Sequence, residues 1–227
     1  MQNQLMESFS RILAAGLVAV VLTGCSTPKL PKNPFKKEQV PVVYKPANVY
    51  SVEFLPNSFS RVAVLPVNHD PSTGADIGVL SSVILSELNG KGALEAVPVS
   101  PKDLKRLSGR ESWSSADALP PNLFSKIRSE YAADGVLMVD LTTFYPYKPV
   151  TIGLRAKMSD ALSGQILWSA DSVYNAGRSD VQEAALYFQK RKSGTPFPLE
   201  DSGSVLQSPR YFTRFAAATL MDTLPAR

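Results

Sequence analysis

Two residue types on which disulfide-rich proteins and many enzymes depend are almost absent from this sequence. The 227 residues include one cysteine and one histidine, so an internal disulfide framework and a zinc site built from several cysteines are excluded. A Ser-His-Asp triad would need His69, which lies in a turn-rich stretch, and the sequence has no GxSxG motif. We therefore expect no enzyme activity, with a hydrolase that uses His69 as a remote alternative.

Sequence motifs for phosphate-bearing cofactors are also missing. Neither GxGxxG nor GxxxxGK[ST] occurs. Four aspartates could be read as metal ligands, but each adjoins a strand end or a turn, where aspartate normally satisfies backbone groups; they are Asp134, Asp140, Asp160 and Asp171. We expect no cofactor and no metal.

The basic excess of the chain is confined to a short N-terminal stretch. Residues 25–46 carry five lysines against one glutamate, which equals the whole net charge of +4. The rest of the chain is therefore neutral. A protein that binds nucleic acid through phosphate contacts is expected to carry its basic excess on the folded domain. We therefore expect no nucleic-acid partner.

The apolar run near the N-terminus is short and ends close to the cysteine. Residues 12–22 are all apolar or glycine, which is the length of a signal-peptide core and less than the roughly 20 residues that span a bilayer. Leu22, Thr23, Gly24 and Cys25 then match the lipobox of bacterial lipoprotein precursors. The match implies that residues 1–24 are removed and that Cys25 becomes the acylated first residue. An ordinary secretory peptide is the alternative.

Ser26 follows the cysteine. In enterobacterial lipoproteins an aspartate at this position retains the protein at the inner membrane, so Ser26 implies the periplasmic face of the outer membrane. With several acyl chains, each buried CH₂ contributing about 0.8 kcal/mol, the bilayer itself is an expected partner.

Prolines and lysines dominate the residues after Cys25, and such a composition favours an extended, semi-rigid spacer. We predict a tether over residues 25–58 and a periplasmic domain over residues 59–227. The lysines are those of a solvated linker, with contact to anionic lipid headgroups as the alternative.

The remaining sequence predicts a single α/β domain. The domain begins with a predicted βαβ unit. It consists of a buried strand (61–67), an amphipathic helix from Ile77 to Leu88 and a second strand (94–99). Later segments predict a long strand at 134–147 and an antiparallel hairpin at 150–174. Three further helices are predicted at 122–133, 180–192 and 208–224. We predict a mixed sheet in two or three layers, with a C-terminal antiparallel hairpin and flanking helices.

These segments resemble a known family. The lipobox, RVAVLPV, ADGVLMVDLTTFYPY, the strand-turn-strand LRAKMSDALSGQILWS and a terminal amphipathic helix are similar to the periplasmic domain shared by CsgG, PelC, LpoB and the N-terminal domain of TolB. The resemblance covers residues 60–224. Its members include ring-forming export components, synthase activators and scaffold domains, so it implies a fold more than a function.

Aromatic residues supply the candidate contact sites. Trp113, Phe144, Tyr145 and Tyr147 are candidate partner-binding residues, because aromatic side chains are enriched at interfaces. Arg155 and Lys157 are expected on a solvated strand face. The resulting hypothesis is a lipid-anchored periplasmic assembly or interaction factor that supports envelope assembly, secretion or wall synthesis by binding periplasmic or outer-membrane proteins, or copies of itself. The alternative is a subunit of an oligomeric export ring for a curli-like protein or an exopolysaccharide.

We predict that Cys25→Ala abolishes acylation and blocks removal of the leader, because lipoprotein processing acts on the modified thiol. Incorporation of labelled palmitate and the mobility of the chain on a gel measure both steps. Ser26→Asp is the matched control: it keeps the label and, in an enterobacterial host, moves the protein to the inner membrane. Normal cleavage of the Cys25→Ala chain would instead identify an ordinary secretory peptide.

Overall fold

The computed structural model describes residues 43–90, 92, 94–193 and 204–226. The predictions for Leu22, Thr23, Gly24, Cys25 and Ser26 lie outside these residues. The described residues belong to one compact unit.

Six strands and six α-helices make up the described part of the chain. The strands are β1 (Asn48–Ser51), β2 (Arg61–Val64), β3 (Glu95–Pro98), β4 (Gly135–Tyr145), β5 (Thr151–Asp160) and β6 (Ile166–Asn175). The helices are α1 (Ile77–Gly90), α2 (Pro101–Ser108), α3 (Leu123–Tyr131), α4 (Ser179–Ser193), α5 (Ser204–Gln207) and α6 (Pro209–Met221). All strands join one sheet in the order β1-β6-β5-β4-β2-β3.

The sheet has a parallel half and an antiparallel half. β2 pairs in parallel with β3 and β4, whereas β4, β5, β6 and β1 pair antiparallel. The predicted α/β class with a C-terminal hairpin is confirmed.

Side-chain caps mark the starts of three helices. The Asp76 carboxylate accepts a hydrogen bond from the Val79 N–H at 3.1 Å, before the first full turn of α1. Ser100 caps α2 and Ser208 caps α6, and each is followed by a proline at the first helical position, where no backbone N–H is needed.

The helices cover the two faces of the sheet unequally. On one face α1, α4 and α6 pack against residues of β2, β4, β5 and β6. On the other face α2, α3 and the segment around Trp113 pack against β2 and β4, and no residue of β5 or β6 enters that core. The domain therefore has three layers over its parallel half and two over its antiparallel half, so both predicted arrangements occur.

Helix α6 is the centre of the larger core. Nine of its thirteen residues are buried, and the ring of Phe215 lies 5.6 Å from Phe212 and 5.9 Å from Tyr174, measured between centroids. Such aromatic contacts stabilise a core beyond the area that they bury.

The folded part begins earlier than predicted, so the proposed tether boundary at residue 58 is wrong. β1 pairs with β6 at the sheet edge, and the Tyr44 ring meets Tyr174 edge-on at 5.4 Å. Leu55 and Phe59 are buried in the larger core. Sequence periodicity does not indicate β1, because a four-residue edge strand is too short to show an alternating pattern.

Asp134 joins the starts of β2 and β4. One carboxylate oxygen accepts hydrogen bonds from the backbone N–H groups of Ser60 at 2.9 Å and Arg61 at 3.0 Å. Partial burial opposes ionisation, but these hydrogen bonds outweigh it and hold the pKa of Asp134 below its ordinary value. Asp160 serves the β5–β6 turn in the same way, accepting from the N–H groups of Leu162 and Ser163.

We predict that Gly135→Ala destabilises the domain. A Cβ at this position would collide with the tip of the Phe59 ring, would lie 2.7 Å from its Cε2 atom, and would come within 3.2 Å of the Ser159 carbonyl oxygen. Because Phe59 is buried, the ring has little room to move, and we expect a loss of about 1–3 kcal/mol in the free energy of unfolding. Urea titration measures this. Gly90→Ala is the control, since a Cβ there meets open space; equal midpoints for both variants would contradict the prediction.

Candidate functional site

Half of one sheet face remains uncovered by helices among the described residues. It consists of the side of β5, β6 and β1 that faces away from α6, together with Tyr145 at the end of β4, and we call it the open face. Cross-strand pairing sets two rows on it, Arg155–Asp171–Asn48 and Lys157–Ser169–Tyr50. Each row continues into β4 at a buried residue, Asp140 or Met138. Partners in such rows project from the same side of the sheet.

Large apolar and aromatic side chains are exposed around these polar rows. The exposed fractions are 53% for Tyr50, 53% for Tyr145, 41% for Ile166 and 47% for Val173. Single exposed residues are ordinary, but several on one flat face are typical of an interaction surface.

A buried carboxylate organises one margin of the open face. Asp140 is 2% exposed, and its oxygens accept hydrogen bonds from Arg155 Nε at 3.0 Å, the Ser115 N–H at 3.1 Å and Asn68 Nδ2 at 3.1 Å. The Ser115 hydroxyl donates to the same carboxylate. Such pairing offsets the cost of burying a charge.

Arg155 and Lys157 hold the segment that borders the open face. Arg155 Nη2 donates to Ser114 Oγ at 3.2 Å, and Lys157 Nζ donates to the Ser115 carbonyl oxygen. Burial lowers the pKa of Lys157. The prediction of a solvated face therefore holds only in part, because both side chains are half-buried and their charged ends contact Ser114 and Ser115.

A small polar cavity of about 170 Å³ lies between this segment and strands β6 and β1, lined by Arg155, Lys157, Asp171 and Asn48 among others. The Asp171 side chain forms no hydrogen bond or ion pair with another described residue, unlike that of Asp140. The open face thus offers a free acceptor beside two cations whose positions are fixed.

The predicted contact residues separate into three environments. Trp113 is 8% exposed and donates its Nε1–H to Ser108 Oγ at 2.8 Å, so its assignment as a surface contact is wrong. Tyr145 and Tyr147 are exposed and meet edge-on at 5.8 Å. Phe144, next in the chain to Tyr145, is half-buried on the opposite face.

Phe144 lines a second depression, which we call the end groove. Its volume is about 340 Å³, and its wall includes Ile77 and Leu80 of α1, Leu141 of β4 and Thr213 of α6. It lies at the carboxyl-terminal part of β4, on the side where the chain leaves β2 toward α1. Crevices at such ends of α/β sheets are common binding sites.

His69 has a local role in the structure. Its Nδ1 atom lies 3.2 Å from the Val67 carbonyl oxygen, with neither a serine nor an aspartate side chain hydrogen-bonded to the ring among the described contacts. Within the described ranges, no cluster of three metal-ligating side chains occurs. None of the helices described is both long and apolar enough to cross a bilayer.

Comparison with known proteins gives similarity at the level of solved structures. No family model and no curated protein matches the chain. It is similar to the PelC dodecamer from Paraburkholderia phytofirmans, with 16% identity over 79% of this chain and 96% of that chain and a TM-score of 0.45. It is also similar to lipoprotein GNA1162 from Neisseria meningitidis, with 16% identity over 60% and 99% and a TM-score of 0.40.

The C-terminal domain of LpoB from Escherichia coli is a further similar structure, with 19% identity over 52% of this chain and 84% of that chain and a TM-score of 0.35. PelC and LpoB are thus among the similar structures, as the resemblance implies. At these TM-scores the similarities carry no inference about function.

We predict that Arg155→Met lowers the free energy of unfolding by about 1–3 kcal/mol, because it leaves the buried Asp140 carboxylate without its cation. In a cycle with Asp140→Asn, the double variant should lose less stability than the two single losses added together. Thermal or urea unfolding measures all three variants. Lys102→Met, at an exposed position of α2, is the control with little expected effect, and strict additivity of the pair would refute the coupling.

Proposed function

We propose that the protein is a lipid-anchored accessory factor of the bacterial outer membrane that binds another envelope protein through the open face. The observation that carries the proposal is the combination, on one uncovered side of the sheet, of exposed Tyr50, Tyr145, Ile166 and Val173 with a fixed polar centre. Interfaces with high specificity combine such apolar anchors with polar groups at defined positions.

The polar centre gives the surface a defined shape. Arg155 and Lys157 are already held by Asp140 and Ser115, so a partner would not have to order them on binding. Preorganised side chains reduce the entropy lost in association. Asp171 is left to accept a hydrogen bond from the partner.

The size of the open face indicates a modest interface. β5 and β6 have ten residues each, so three strands at standard spacing give roughly 400–500 Å² of flat surface. Stable interfaces bury about 800 Å² on each partner. Binding would therefore benefit from anything that keeps the two proteins close together.

The proposed lipid anchor supplies that proximity. Acylation at Cys25 would confine the domain to the membrane surface, and the length of residues 25–42 sets an upper limit of about 55 Å on its distance from the bilayer, at about 3.1 Å per residue. A tether raises the effective concentration of a partner in the same membrane, so a weak contact becomes sufficient.

The export-ring alternative rests on the two edge strands of the sheet. β1 and β3 are the edge strands, and their outer sides are unpaired among the described residues. Pairing of β1 of one copy with β3 of the next would be a head-to-tail contact, which closes into a ring when the rotation permits.

We predict that a photo-crosslinking amino acid in place of Tyr50 or Val173 captures, in living cells, an envelope protein other than this one. The same amino acid in place of Ser129, which is exposed on α3, is the control and should capture none. Val173→Arg should reduce capture from position 50, because it places a large charge in the apolar part of the surface. Equal capture from all three positions would contradict the proposal.

Light scattering distinguishes the export ring from the tethered accessory factor. The mass of the acylated protein in detergent is compared with that of a form beginning at Ser26. A monomer in both forms supports the tethered accessory factor. One large closed oligomer, with crosslinks only between copies of this chain, would favour the ring and overturn the proposal.

A further inference from the structure

The end groove continues along the helical face of the domain. A second depression of about 330 Å³ is lined by Ser82, Ser86 and Arg214 among others, and it shares Val79 and Arg210 with the end groove. Along α1 the two together extend from Ile77 to Glu87, which at 1.5 Å per residue is about 15 Å. This is the length of three turns of a docked helix.

The two parts of this extended groove differ in character. The end groove is mainly apolar, with side chains of Ile77, Leu141 and Phe144 in its wall. The continuation carries hydroxyl groups and arginines. A ligand that fills both would therefore need an apolar face followed by polar groups.

The unpartnered charge along the groove is positive. Arg210 and Arg214 lie one turn apart on α6, both are exposed, and neither forms an ion pair with another described residue. Two carboxylates also border the groove, but Asp76 caps α1 through the Val79 N–H, and Glu87 already has an interaction of its own.

We infer that the extended groove binds an acidic amphipathic helix of another protein. Its apolar side chains enter the end groove between α1, β4 and α6, and its carboxylates pair with Arg210 and Arg214. Docking of a helix by its apolar face into such a groove is a recurrent mode of recognition. A free fatty acid fits less well, because the groove is half open and its second part is polar.

This site is independent of the proposed function. The open face and the extended groove lie on opposite faces of the sheet, since Phe144 packs with the α6 core whereas Tyr145 lies on the other side. Loss of one contact is therefore expected to leave the other intact, and crosslinking from position 50 reports the open face separately.

The test uses the mature chain, residues 25–227, with Cys25→Ser so that no detergent is required. The probe is a fluorescein-labelled 14-residue peptide with leucines at helical spacing and glutamates elsewhere, compared with the same peptide carrying lysines instead of glutamates. Fluorescence anisotropy should show saturable binding of the acidic peptide that weakens with salt. Arg210→Glu and Arg214→Glu should each weaken it at least about fivefold.

Lys102→Glu on α2 is the matched control, because it makes the same change in net charge in the other helical layer. Its affinity for the acidic peptide should equal that of the unaltered chain. Equal binding of both peptides, no binding of the acidic peptide, or an equal loss in the control would overturn the inference. Binding to phosphatidylglycerol vesicles that requires Arg210 and Arg214, without peptide binding, would overturn it in favour of a lipid surface.

Discussion

The buried carboxylate of Asp140 is the constraint on which the open face depends. It joins Asn68 after β2, Arg155 on β5 and Ser115 in the bordering segment, three parts of the chain that are distant in sequence. A buried charge without partners would be strongly unfavourable, so these hydrogen bonds form together. Their common effect is to fix one margin of the open face and to set Arg155 and Lys157 in place.

The open face exists because of how the strands are connected. Parallel strands need crossover helices, and the connections of the βαβ half place α1 on one side of the sheet and α2 and α3 on the other. The hairpin of β5 and β6 closes through a short turn and brings no helix with it. Half of one face is thus left without a covering layer, and the proposed partner surface follows from this topology.

A single irregularity in β4 assigns its last residues to two sites. The pairing with β5 shifts between Leu141 and Thr143, so Thr142 is an extra residue opposite Gly153, where a Cβ would lie only 2.5 Å from the Thr142 hydroxyl oxygen. A one-residue shift exchanges the faces of all later side chains. Because of it, Phe144 turns toward the end groove and Tyr145 toward the open face.

The sequence alone determined the α/β class, the hairpin, the helix caps and the helical faces, because periodicity and capping act between residues close in the chain. Only the tertiary structure decided which surface is exposed. It buried Trp113, brought Ser114 and Ser115 against Arg155 and Lys157, added β1 to the sheet and placed the bulge in β4. Each of these depends on contacts between distant segments, and local patterns do not encode what packs against a loop, a strand face or a sheet edge.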